Sequence, residues 1–254
     1  MDLTPSNWIW TPKPNEKAPL VVYCFHHAGG AAQTFRLWSD EFSELAEIRA
    51  VQLPGRADRS REACIRNLSE LTKFLGEQIF STPQNRAFAF FGHSLGALIA
   101  YDLIIHLRNE NVRLPIALGV ASRLAPQIKT FKESIYQLDD DAFLAALTQR
   151  YGPSPGQEYL EDPDIRAMFV PMMKADMQLF DSFEFTQGPA LDIPIFAAFG
   201  SDDPSMQEVH MKAWGAHTTK KFCLENQSGG HFFWMKNPKL ITDPFKSFLQ
   251  SILK

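Results

Sequence analysis

The chain has 254 residues, 45% of them hydrophobic, with 25 Lys and Arg against 29 Asp and Glu and a net charge of −4. Such a composition fills one large core and excludes intrinsic disorder, which needs few apolar residues and high net charge. No basic excess is present to neutralise nucleic-acid phosphates, and no apolar run approaches the roughly 20 residues of a membrane span.

The opening segment, MDLTPSNWIWTPKPNEK, lacks a charged-then-apolar signal pattern, so a cytoplasmic location is expected. Residues 11–19 hold three prolines and read as an exposed lead-in. Beyond them, short continuous apolar runs recur at 20–25, 48–53, 86–91, 116–121, 193–199 and 219–224. Runs of this kind suit strands buried on both faces. Helical patterns lie between them, at about 35–46, 66–80, 95–109, 205–216 and 237–253. The alternation predicts an α/β fold over residues 1–254: one domain, a mostly parallel sheet and helices on both faces. Residues 124–190 break the alternation, with acidic helix starts, a Gly/Pro patch at 151–156 and an apolar run from Met168 to Phe185. They are expected to form a helical insertion over the sheet. Cys24, Cys64 and Cys223 are widely spaced and form no CxxC pair, so they read as small hydrophobes in a reducing compartment.

The sharpest motif is Gly92-His93-Ser94-Leu95-Gly96, a G-x-S-x-G. It follows one apolar run and opens the helix LGALIAYDL, which is the strand–turn–helix setting of a nucleophile elbow. The turn is tight enough that side chains two before and two after the serine would clash, hence the glycines. A serine hydroxyl is a weak nucleophile and needs a base, which in turn needs an orienting acid. In the α/β-hydrolase arrangement these follow in the order Ser, acid, His. His231, in Ser228-Gly229-Gly230-His231, sits in a tight loop after a strand-like run and is the candidate base; His217 precedes that run and belongs at the opposite edge. The loop Gly200-Ser201-Asp202-Asp203-Pro204 offers two acids, of which Asp203 is preferred. One of the two is expected to cap the helix 205–216. The oxyanion of acyl transfer needs N–H donors. Leu95, after the serine, supplies one, and Ala28, in the loop His26-His27-Ala28-Gly29-Gly30, supplies the other. The two adjacent histidines of that loop point opposite ways from an extended strand end, so no metal is expected. His93 and His106 read as structural.

Five blocks together are more specific than the elbow: CFHHAGGAAQTFRLW (24–38), VQLPGRADR (51–59), FFGHSLGALIAYDL (90–103), FGSDDP (199–204) and GGHFFW (229–234). In these the chain resembles type II thioesterases of the α/β-hydrolase superfamily, the stand-alone editing enzymes of polyketide and non-ribosomal peptide synthesis. The resemblance implies Ser94 as nucleophile, His231 as base, Asp203 as orienter, and Ala28 and Leu95 as oxyanion donors. It implies a mobile lid formed by the insertion at 124–190. It also implies acyl or peptidyl carrier proteins as partners, with the acyl group on a phosphopantetheine arm and no cofactor. The family often has Met where Leu95 stands; since only the backbone N–H is used, little should change.

The Met- and Phe-rich stretch 168–185 suggests loose acyl specificity for short to medium chains. Arg56, Arg59, Arg61, Lys129 and Lys132 are candidates for a basic face toward an acidic carrier protein. A monomer is expected. The rival readings are a serine esterase of free esters or acyl-CoA, and a non-catalytic carrier-binding module on the same fold.

Overall fold

The continuous apolar runs become strands because alternate residues meet apolar partners on both sides. The structure is a computed structural model and describes residues 8–80, 85–128 and 133–253. Its seven strands are β1 (Ile9–Trp10), β2 (Leu20–Phe25), β3 (Ala46–Val51), β4 (Ala87–His93), β5 (Leu118–Ala121), β6 (Ile195–Gly200) and β7 (Phe222–Gln227). They form one sheet in the order β1-β3-β2-β4-β5-β6-β7. All neighbours are parallel except β1 against β3. The helices are α1 (Trp38–Glu41), α2 (Leu68–Leu75), α3 (Leu95–Asn109), α4 (Asp140–Tyr151), α5 (Pro163–Asp181), α6 (Glu208–Lys212) and α7 (Lys239–Leu253).

Strand β2 shows how the layers are shared. Val21, Tyr23 and Phe25 join the core formed with α2 and α3, while Leu20, Val22 and Cys24 join the core formed with α1 and α7. In β4, Phe88 and Phe90 face the first layer and Ala89 and Phe91 the second. Helix α7 contributes Ile241, Phe245, Phe248 and Leu249, spaced so that one stripe meets the sheet. Helix α3 is buried nearly all round, as the apolar character of 95–109 predicts.

Boundaries differ from the sequence reading where polar residues enter strands. β3 starts at Ala46, because Glu47 is satisfied inside: it accepts from Arg49 Nε (2.6 Å), Arg86 Nη2 (2.9 Å) and the Asn15 N–H (2.7 Å). The helix expected over 35–46 therefore shrinks to the four residues of α1. β7 runs three residues later than expected and includes Glu225, Asn226 and Gln227, since an edge strand pairs on one side and leaves polar groups to solvent. β1 was not anticipated. It is anchored by the fully buried Trp8, over whose ring the Arg59 guanidinium sits at 4.0 Å. All three cysteines are free; Cys24 is buried, while Cys64 and Cys223 are half-buried.

Between β5 and β6 the described residues contain α4 and α5 and no named strand. A separate small core (Ile135, Phe143, Val170 and Met177) holds these helices together and packs on Ala28. No helix among the described residues is long and apolar enough to cross a membrane.

Candidate active site

The elbow is built by close approach. Ser94 has φ 55° and ψ −114°, a conformation L-residues rarely adopt. Two missing side chains permit it. A Cβ on Gly92 would stand 2.3 Å from the carbonyl of Gly96, and one on Gly96 would stand 2.0 Å from the Phe25 carbonyl oxygen at the end of β2. The first turn of α3 is thus pressed against two strand ends, and the Ser94 N–H donates to the Ala121 carbonyl of β5 at 2.8 Å.

The three predicted side chains meet. His231 Nε2 lies 3.0 Å from Ser94 Oγ, and His231 Nδ1 lies 2.7 Å from Asp203 Oδ2. Asp203 and His231 are both buried. The other Asp203 oxygen accepts from the Ser205 hydroxyl (2.6 Å) and the Ser205 N–H (2.9 Å). Burial works to raise the Asp203 carboxyl, but the bonds from His231 and Ser205 outweigh it and hold the group below the usual carboxylate range. Asp202 is exposed, its carboxylate bonded to Ser201, and does not reach the histidine. Neither acid caps the next helix, contrary to expectation. That helix begins at Glu208 after Gln207, and Asp203 spends its free oxygen on Ser205 instead.

The His231 loop is held from behind. The His231 carbonyl accepts from His93 Nε2 and from Ser122 Oγ, each at 2.9 Å. Burial lowers His93 to about 3, so it stays neutral and can donate through that one nitrogen. His26 is lowered to about 4, chiefly by burial and then by Arg56, and His27 is pushed well down, first by burial and then by His93. His231 is the member of this histidine cluster bonded to a carboxylate. His217 lies at the opposite edge of the sheet, where its ring meets the Tyr101 hydroxyl and Gln127.

Ser94 opens into a cavity of about 340 Å³. Ala28, Leu95 and His231 line it beside the serine, and Leu144, Leu147, Phe169, Met173, Met177 and Phe180 from α4 and α5 line it opposite. Leu95 is the first residue of α3, so its N–H has no partner within the helix. Of the Met/Phe-rich run, Met172 is buried in packing and Met168 is 67% exposed, so the run serves core, cavity and surface together.

Several site residues escaped the sequence reading. Ser205 steadies Asp203, and Tyr151, at the end of α4, places its ring centroid 4.9 Å from that of His231. Arg56 and Arg59 do not form the expected basic face. Arg56 and Arg59 are buried: Arg56 pairs with Asp176, and Arg59 pairs with Glu62 and donates to the Gln52 carbonyl. Arg61 is exposed, and Lys129 and Lys132 lie outside the described residues. Asp176 could have been noticed: it falls on the buried stripe of α5 with Met172 and Leu179, where a lone charge demands a partner.

A serine, histidine and aspartate joined in this order at the C-terminal ends of a parallel sheet define a serine hydrolase of the α/β-hydrolase class. A family model, Thioesterase domain, matches residues 21–248. Linear gramicidin dehydrogenase LgrE of Brevibacillus parabrevis is 33% identical over 99% of this chain and 95% of its own length. Thioesterase PikA5 of Streptomyces venezuelae is 33% identical over 89% of this chain and 79% of its own. The type II thioesterase BorB from the borrelidin biosynthetic cluster superposes with a TM-score of 0.83 at 29% identity, covering 94% of this chain and 96% of that one. The chain belongs to the thioesterase family.

Gly96→Ala should destabilise the fold by about 3 kcal/mol or more, because the obstructing atoms are backbone and cannot yield as a side chain would; denaturant titration measures this. A second expectation concerns acid. A carboxyl held low in the folded state stabilises the fold above the ordinary aspartate pKa of about 4, and that contribution is lost as pH falls through the lowered value. Between pH 5 and 3 the wild type should therefore lose more stability than Asp203→Asn. Equal losses would mean that folding does not favour the Asp203 carboxylate.

Proposed function

We propose that this enzyme hydrolyses acyl thioesters carried on the phosphopantetheine arm of acyl or peptidyl carrier proteins, through an acyl-serine at Ser94. The observation that carries this reading is the continuous Ser94–His231–Asp203 bonding at the mouth of an apolar cavity in a thioesterase-family chain. In the first half-reaction Ser94 Oγ attacks the thioester carbonyl carbon, and His231 Nε2 takes the hydroxyl proton. The Leu95 and Ala28 N–H groups receive the oxyanion. The C–S bond breaks, the thiol leaves with a proton from His231, and an ester to Ser94 remains. In the second half His231 takes a proton from water, the resulting hydroxide attacks the ester carbonyl, and a free acid departs as Ser94 regains its proton. Asp203 keeps His231 in the tautomer whose Nε2 can accept and stabilises the imidazolium between transfers.

A thiolate is a good leaving group, so oxyanion donors and water access govern the rate more than leaving-group protonation does. The helical segment 124–190 serves as the lid of the acyl chamber, within a chain that is otherwise one domain. The cavity stands at the lower end of ligand-pocket volumes, which suits short to medium acyl chains. Its walls include Met173 and Met177, flexible side chains that adapt to varied shapes. One relative is named a type II thioesterase of a biosynthetic cluster, which supports a like service here, where removal of stalled acyl groups from carrier proteins is an editing step. The word dehydrogenase in one relative's name does not transfer. Among the 14 glycines here no two have just one residue between them, so a G-x-G-x-x-G dinucleotide fingerprint cannot occur.

Intact-protein mass spectrometry tests the reading. A carrier protein loaded with butyryl-phosphopantetheine should lose its acyl mass with the wild type and keep it with Ser94→Ala. His231→Ala should reduce turnover by about 10⁴-fold or more. If a small free ester is hydrolysed while the carrier thioester persists, the enzyme is an esterase of free metabolites. Across acetyl, butyryl, hexanoyl and octanoyl thioesters, kcat/KM should vary by less than about tenfold, no more than a single methylene is worth in a selective apolar pocket. One sharp optimum would refute loose specificity.

A further inference from the structure

The turn that carries Ala28 is held by side chains from two other parts of the chain. Its closure is the Gly30 N–H donating to the His27 carbonyl at 3.0 Å, with Gly29 at φ +77°. Ala28 and Gly29 are the two central residues. The Gly29 N–H donates to Asp176 Oδ2 at 2.8 Å. That oxygen also accepts from Arg56 Nη1 (2.7 Å), and Asp176 Oδ1 accepts from Arg56 Nη2 (2.7 Å). Arg56 Nη1 reaches back to the Gly30 carbonyl at 3.2 Å, and Gln52 Oε1 accepts the Ala32 N–H at 2.9 Å. The two ion-pair side chains are 3% and 1% exposed.

Stability alone is a weak reason for such a pair. A buried ion pair pays heavily in desolvation, and well-packed apolar residues often replace it at no loss. What apolar residues cannot supply is an acceptor for the Gly29 N–H. Asp176 supplies it, and Asp176 belongs to α5, a wall of the cavity, whereas Arg56 belongs to the loop after β3. The geometry points to Asp176 as a positioning residue: with Arg56 as its counter-ion, it fixes the Ala28–Gly29 turn so that the Ala28 N–H faces the reacting carbonyl only while α5 is seated. This rests on the assignment of Ala28 as an oxyanion donor. It ties the seating of the lid to completion of the oxyanion site. An α5 that lifts withdraws the carboxylate, and the turn is left with the internal His27–Gly30 bond and the links from Arg56 and Gln52.

The test uses butyryl-N-acetylcysteamine as substrate and compares four proteins by kcat, KM, pH–rate profile and melting temperature. Arg56→Met/Asp176→Leu removes the acceptor without leaving a buried charge unpaired. It should stay folded with kcat lowered about 10- to 100-fold, the cost of a small misplacement, with KM within about twofold and the apparent pKa of the pH–rate profile unmoved. Asp176→Asn keeps a neutral oxygen beside Gly29 and should fall between, about fivefold below wild type, since a charged acceptor outweighs a neutral one. A folded double variant with wild-type kcat overturns the proposal, as does a loss confined to KM. Should the double variant not fold, Asp176→Asn decides, and an unchanged kcat there is fatal. Ala28→Pro deletes the donor itself and separates the two claims. If folded Ala28→Pro is about 100- to 1000-fold slower while the double variant is not slowed, the anchor fails and the oxyanion assignment stands. If Ala28→Pro turns over normally, the oxyanion assignment fails, and the anchor with it.

Discussion

Everything at this site depends on how closely the start of α3 approaches the end of β2. Gly96 lies so near the Phe25 and His26 carbonyls that no side chain fits between them. This contact bends the backbone at Ser94 into a positive φ and raises its hydroxyl out of the sheet. Strain of this kind persists only where the surroundings over-determine it. Here the surroundings are the strand ends of β2, β4 and β5, all fixed by parallel pairing and by apolar layers on both faces.

The remaining groups are then placed by reach from neighbouring strand ends. Asp203 follows β6 and His231 follows β7, and these two strands are paired over six residues, so the carboxylate and the imidazole arrive side by side. His231 is held by its ring and by its carbonyl, the latter bonded to His93 of the elbow and to Ser122 after β5. Elbow, base loop and the end of β5 are therefore one hydrogen-bonded unit. Ser122 itself has φ 49°, so a second strained residue stands next to the first.

The central strands, the elbow and the three-residue chain of Ser94, Asp203 and His231 were legible because each leaves a local mark: a continuous apolar run, a glycine at a fixed offset, a loop after a strand. What was not legible depends on long-range pairing. Arg49 is close to Glu47 in the chain, but nothing local announces that Arg86 and the Asn15 N–H complete its burial, so the start of β3 is not readable from the sequence. Arg56 and Arg59 looked like surface charge because their burial is imposed by α5 and by the N-terminal segment. The co-occurrence of HAGG and QLPGR was visible as a pattern. Its physical meaning, a turn pinned by Gln52 and Arg56, appears only once the loops after β2 and β3 lie side by side. The length of β7 was missed for the opposite reason, since its polar end needs no partner at an edge.

The chemical groups and the cavity walls come from different accounts in the chain. Ser94, Asp203, His231 and the Ala28 turn sit at the ends of β4, β6, β7 and β2, whereas the opposite wall is α4 and α5, inserted in the single interval between β5 and β6. That interval contributes no strand to the sheet among the described residues and has its own small core. The shape of the chamber can therefore be altered over many substitutions in one contiguous stretch while the reacting groups keep their registration. Asp176 marks the boundary of that freedom: it is the residue of α5 whose carboxylate is tied to the strand-end machinery, so the interval is free to diversify around it rather than through it.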